Sequence, residues 1–133
     1  MKVCLDSNVL VSAFATRGLA SDVLRVVLAE HELLVPVVVL DEVERVLREK
    51  LQLPAAVLSL AQQVLESQTP VPRPPNVLSL PIRDPDDAWV LASAVAGAAD
   101  LLITGDTDLL SVAEQSPIPI LSPRAFWEQL RAT

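Results

Sequence analysis

Five acidic residues, Asp6, Glu42, Asp87, Asp106 and Asp108, are spaced so that an α/β chain of this length would gather them at one edge of a parallel sheet. Oxygen-only side chains brought together in that way suit a hard divalent cation, magnesium or manganese. Carboxylates repel at close range, and a bound dication gives them a physical reason to coexist. Two of the stations follow short apolar runs: Val3-Cys4-Leu5 precedes Asp6, and Leu101-Leu102-Ile103 precedes the Thr104-Gly105-Asp106 turn. Each therefore sits where a buried strand ends and the chain turns toward a helix, the place where open α/β sheets bind ligands. Taken singly, every acid has a plainer reading. Asp6 fits a turn, Asp106 fits a helix N-cap with Asp108 in the first turn, and Glu42 fits a solvated helix face beside Asp41 and Glu44. Asp84 fits an N-cap, with Asp87 at the third helical position completing an acidic capping arrangement. Their joint placement favours a shared site.

Other chemistries lack their residues. With one His, one Cys and no Tyr, nucleophilic catalysis of the Ser-His-Asp or Cys-His kind could use only His31 or Cys4, and neither falls at a strand-end crevice. His31 reads as a dipole partner at a helix C-terminus, and Cys4 as a buried structural thiol. The three glycines, Gly18, Gly97 and Gly105, form no phosphate-binding loop. Zinc is disfavoured without a Cys/His cluster.

The elements that must position the acids alternate between strand and helix. Lys2 to Leu5 reads as a strand, Val9 to Phe14 as a short helical stretch, and Thr16-Arg17-Gly18 as a turn. Ser21 is the expected N-cap of a helix with Val23, Leu24, Val27 and Leu28 on one face. A strand from Glu32 to Val35 leads through Pro36 into a helix bearing Val39, Leu40, Val43 and Leu47, and this helix carries Glu42. Pro54 opens another helix through Ser67. Residues 69–85 are rich in proline and can hold only short extended or edge-strand pieces joining two halves of one domain, 1–133. A helix from Asp86 to Ala96, a strand from Asp100 to Thr104, a helix from Asp106 to Gln115, a strand from Ile118 to Leu121 and a helix capped by Ser122-Pro123 complete the chain. Such alternation implies a parallel sheet with helices on both faces, in the order 3-2-1-4-5. Asp6 and Asp106 would then face one crevice.

Composition bounds the partners. A net charge of −7 argues against a general nucleic-acid coat, because phosphate binding is driven by Lys and Arg. Acids engaged on a metal would leave the remaining surface only mildly negative. Arg17, Arg45 and Arg48 are candidates for contact with nucleic-acid phosphates, against the plainer reading of solvated helix charges. A hydrophobic content of 51% lies slightly above the globular average, which suggests apolar surface covered by a second subunit. No apolar run reaches membrane-spanning length, and the N-terminus meets an acid before a signal-peptide core could form, so the expectation is a cytoplasmic protein with no membrane contact.

Four pieces carry a family resemblance: LDSNVLVSAF around Asp6, VVLDEVERVL around Glu42, DPDDAWVLASAVAGAADLLITGD from Asp84 to Asp106, and DTDLL at its end. In this order and spacing the sequence resembles the PIN-domain ribonucleases, especially the VapC-like toxins of toxin-antitoxin pairs. The resemblance implies a three-layer α/β/α fold with a central parallel sheet of about five strands. It implies Asp6, Glu42, Asp87 and Asp106 as catalytic, metal-binding acids with Asp108 as an additional or alternative ligand. Asn8 and Thr104 would be supporting polar residues. The implied activity is hydrolysis of RNA phosphodiester bonds with Mg2+ or Mn2+, without a protein nucleophile. The implied partners are an RNA substrate, an antitoxin protein and a second copy in a homodimer, with an interface on helices such as 54–67. Two other readings compete with this one. A non-catalytic module of the same fold would bind RNA or protein, and presence of all the acids argues against it. A phosphoacceptor receiver domain would need a lysine near the end of the fifth strand, and residues 117–123 contain none.

Overall fold

In the computed structural model, which describes residues 1–132, five short strands form one sheet: β1 (Lys2–Leu5), β2 (Glu32–Pro36), β3 (Thr69–Val71), β4 (Leu101–Ile103) and β5 (Ile120–Leu121). All neighbours run parallel, in the order β3-β2-β1-β4-β5 expected from the strand-helix alternation. The central strands are unbroken apolar runs because helices cover both faces of the sheet. Cys4, Leu5, Leu102 and Ile103 are fully buried. The helices are α1 (Ser7–Ala15), α2 (Leu19–Glu30), α3 (Val37–Arg45), α4 (Ala55–Glu66), α5 (Pro85–Ala96), α6 (Thr107–Ser111) and α7 (Pro123–Arg131). The architecture is a three-layer α/β/α fold.

Register decides where the acids emerge. Cys4 lies opposite both Leu34 and Leu102, and Leu5 is level with Ile103. The next residue on each strand, Asp6 and Thr104, therefore leaves the sheet side by side. The Asp6 N–H donates to the Ile103 carbonyl at 2.9 Å, and the Thr104 N–H to Leu121 at 3.0 Å. Since β1 continues toward β2 on one side while β4 leads to β5 on the other, a crevice opens at the carboxyl ends of β1 and β4.

Several boundaries differ from the sequence expectation. The second helix is not capped by Ser21; it starts at Leu19 behind Gly18, which has φ 154° and supplies no side-chain cap. Glycine alone adopts that backbone without strain, so the chain reverses there and the helix begins earlier. The helix carrying Glu42 continues into a π-helical turn, Val46–Lys50, which turns the chain toward Leu53. α6 is only five residues long and passes into a 3-10 turn, Ala113–Gln115, and β5 is confined to Ile120–Leu121 because Pro117 and Pro119 cannot donate to a ladder. The proline-rich segment does supply an edge strand, β3, paired with β2.

Caps follow local chemistry. Asp84 accepts from the Asp86 N–H at 2.9 Å with Pro85 in the first turn of α5, and Ser122 accepts from the Ala125 N–H at 3.1 Å ahead of α7. His31 caps the C-terminal end of α2, with its ring edge-on to Phe126. Burial and the neighbouring Asp6 charge push the Cys4 thiol far up, so it is inert. No described helix is long and apolar enough to cross a membrane.

Phe126 anchors α7 with 1% of its surface exposed. Phe126→Ala is expected to destabilise the fold by about 3–5 kcal/mol, read as a lower urea midpoint at unchanged denaturant dependence.

Candidate metal centre

Asp6 is built into the sheet edge by four donors. Its Oδ1 accepts from the Ser7 N–H at 2.8 Å, which caps α1, and more weakly from the Ser7 hydroxyl at 3.4 Å. Its Oδ2 accepts from the Thr104 hydroxyl at 2.7 Å and the Asn8 amide at 3.2 Å. Asn8 in turn accepts from the Gly105 N–H at 3.1 Å, and Thr104 Oγ1 accepts from the Asp106 N–H at 3.0 Å. The two strand ends are thus laced together by side chains of the DSN and TGD segments. Only 1% of Asp6 is exposed. Burial raises its pKa above the ordinary value, an effect that the Thr104 and Ser7 hydrogen bonds oppose and the charges of Glu42 and Asp106 reinforce.

Across the crevice, Asp87, Asp106 and Asp108 each place a carboxylate oxygen within 4.8 Å of the other two. Asp106 caps α6 through Oδ1, which accepts from the Asp108 N–H at 2.8 Å. Asp87 lies in the first turn of α5 with 9% of its surface exposed, and its buried Oδ2 has no hydrogen-bond partner. Burial first, then a side-chain hydrogen bond with Asp106 and the charges of Asp106, Asp6 and Asp84, push the Asp87 carboxyl up to about 8. An orphaned buried carboxylate oxygen among like charges is what a site for a hard cation looks like when described by protein atoms alone. The donors are all carboxylate oxygens, which suits magnesium or manganese and not zinc.

The remaining expected residues fall at different distances from this trio. Glu42 does not join it: its Oε1 accepts from the Ser7 hydroxyl at 2.8 Å, so that Ser7 links Glu42 to Asp6. Asn8 and Thr104 are the supporting residues described above. Arg17 lines a cleft that also includes Asn8 and Gly105. Arg45 shares a cleft with Glu42. Arg48 is engaged by Glu44, one turn away on the helix, and by Glu49.

Some contributors carry no sequence signal strong enough to find them. Ser7 is hidden in DSN, where its neighbours draw attention. Arg83 donates to both oxygens of Asp108, at 3.0 and 3.3 Å, and partly offsets the trio from the rim. Arg73 lies with its guanidinium carbon 3.9 Å from the centre of a Trp89 ring.

A PIN-domain family model matches residues 2–108 of the chain. Among solved structures, a chain in the crystal structure of VapBC2 from Rickettsia felis bound to a DNA fragment from their promoter is similar, with a TM-score of 0.60 and 15% identity. The match covers 91% of this chain and 97% of that one, and at this identity the likeness is one of fold. No curated protein sequence matches.

The raised Asp87 carboxyl makes a signed prediction for the metal-free protein. The folded state holds this proton more tightly than the unfolded chain, so the stabilisation is complete below the ordinary value of 3.8 and is lost as pH rises toward about 8. Melting temperature in chelator should fall across that window, and Asp87→Asn should flatten the fall. Asp106→Asn keeps an oxygen for the α6 cap and removes a charge, so it should melt at or above wild type in chelator. Wild type should gain about 2.7 kcal/mol when free Mn2+ is a hundredfold above its dissociation constant, and the variant much less.

Proposed function

The chain belongs to the PIN-domain family, and on that premise we propose that it is a divalent-metal-dependent endoribonuclease acting as the toxin of a toxin-antitoxin pair. The observation that carries the reading is the trio Asp87, Asp106 and Asp108 beside the buried Asp6, at the carboxyl ends of β1 and β4. Asp87, Asp106 and Asp108 would hold Mg2+ or Mn2+, with Asp6 alongside and Glu42 one hydroxyl further out. Such an ion, when bound, supplies Lewis-acid chemistry: it lowers the pKa of a coordinated water and offsets charge gathering on a phosphate.

The chain's own residues account for the rest. Asp87 must give up the proton on its carboxyl before it can serve as a ligand, which Asp106 next to it makes harder and a dication makes easier. Thr104 and Asn8 fix the position of Asp6, so little reorganisation is needed when substrate arrives. In the reaction a water attacks phosphorus while a carboxylate of the cluster accepts the water's proton, and the bond from phosphorus to the leaving oxygen breaks as that oxygen takes a proton from solvent. No nucleophilic side chain is needed, in keeping with the absence of His or Cys from the crevice. The likeness to a chain of the promoter-bound VapBC2 structure supports an antitoxin as the controlling partner. A homodimer is part of the same proposal, supported by the exposed Leu60 on α4 and Leu51 just before it.

Purified protein is expected to cleave RNA with Mg2+ or Mn2+ and to stop when the metal is chelated. Asp6→Asn and Asp106→Asn should each abolish cleavage while leaving the circular dichroism spectrum and cooperative melting in place. Thr104→Val, which deletes a supporting hydrogen bond, should cost about 10–100-fold in activity or metal affinity. Cleavage that persists unchanged in either aspartate variant sinks the assignment. The dimer is checked by light scattering at micromolar concentration, where a monomeric mass counts against it.

A further inference from the structure

Beside the acid cluster lies a second cleft, about 270 Å³ in volume, between α3 and the proline-rich connector that precedes α5. Glu42 forms part of its wall and connects it through Ser7 to Asp6; Asp86, next to Asp87 in the chain, forms another part. Two cations line it, Arg45 from α3 and Arg73 from the connector. Neither forms an ion pair or donates a hydrogen bond among the described residues, although Asp41, Glu42 and Asp86 line the same cleft. Arg25, Arg48 and Arg83 are paired with carboxylates. Arg73 instead lies over the Trp89 ring, 3.9 Å from its centre, two residues beyond Asp87 on α5. An arginine held on an aromatic face keeps its planar fork of donors in place at low entropic cost and leaves the donors free for an oxyanion. The flanking Pro72, Pro74 and Pro75 restrict the backbone that carries it.

We infer that Arg45 and Arg73 form a phosphate subsite that binds a backbone phosphate flanking the scissile linkage of the RNA, with Trp89 as the positioning residue for Arg73. The inference rests on the ribonuclease reading and adds to it the direction in which the strand leaves the acids: past Glu42 toward α3 and the connector. It also reconciles a net charge of −7 with an RNA substrate, since the cations would act where the strand passes and not over the whole surface. Because the subsite holds ground state and transition state alike, its loss should raise KM and leave kcat near wild type.

The test uses a short fluorescein-labelled single-stranded RNA of mixed sequence. Binding is followed by anisotropy as a function of salt, with Mn2+ present and in an Asp6→Asn background that does not cut. Kinetics are measured with otherwise wild-type protein. Arg73→Gln and Arg45→Gln should each lower the magnitude of the log Kd against log salt slope by about 0.7, the value for one phosphate contact on a single strand. Both should raise KM about tenfold at nearly constant kcat, and Arg73→Lys should restore the salt slope. Trp127→Phe leaves Trp89 as the sole indole, since the chain has two tryptophans, and its emission should change on RNA binding. If the glutamine variants lower only the melting temperature, with salt slope and KM as in wild type, the arginines are packing residues and the subsite is refuted while the nuclease stands. If wild-type protein neither binds nor cuts RNA, the nuclease reading falls and takes the subsite with it.

Discussion

Asp6 and Asp87 are acids buried beside the half-buried Asp106, and the surrounding elements hold them where ionisation of one opposes ionisation of the next. The parallel pairing of β1 with β4 makes Asp6 and Thr104 neighbours, while Asp87 is carried in by α5 and Asp106 by the turn that starts α6. Compensation is uneven. Asp6 receives four donors, whereas one buried oxygen of Asp87 receives none. Of the acids, the one with an unmet oxygen lies on the side of the crevice where the trio converges, where a cation would compensate it.

The capping and chemical readings of the aspartates turn out to be compatible. Asp6 and Asp106 each use Oδ1 to cap the helix that follows, α1 or α6, while Asp6 gives its second oxygen to Thr104 and Asn8 and Asp106 also offers an oxygen to the trio. A helix N-terminus tolerates the negative charge that the site requires, so one residue serves both ends at once. Asp84 does the capping for α5 alone, which frees Asp87 from that duty and leaves it in the acid cluster.

Two arginines of the connector stand beside the acid cluster. The connector between β3 and α5 sends Arg83 to Asp108 and Arg73 to Trp89, on two flanks of the cluster. Proline restricts the conformations of that segment before folding as well as after it, which lowers the entropy lost in presenting the arginines. The Arg83–Asp108 pair is exposed and contributes little to stability. Its consequence is local, reducing the repulsion on the trio's outer member.

Much of the architecture is legible in the sequence because its determinants are local along the chain. Buried parallel strands must be short apolar runs, their helices must carry apolar residues at helical spacing, and an acid after such a run marks a strand end; Asp6, Asp106 and the five-strand order follow from these rules. Helix starts were less secure, since Ser21 looks like a better cap than Gly18 until the backbone shows φ 154° at the glycine. The grouping of side chains was decided by the tertiary structure alone. Thr104 meets Asp6 across 98 residues, Ser7 meets Glu42 across 35, and Arg83 meets Asp108 across 25. Such contacts depend on which rotamer and which helix face the packing selects, and composition and spacing carry no record of either. The sequence by itself therefore determined that acids would crowd one end of the sheet. Only the fold decided that Asp87, Asp106 and Asp108 share one space, that Glu42 stands behind Ser7, and that Arg73 lies on Trp89, because those outcomes belong to distances between elements and not to the order of residues within them.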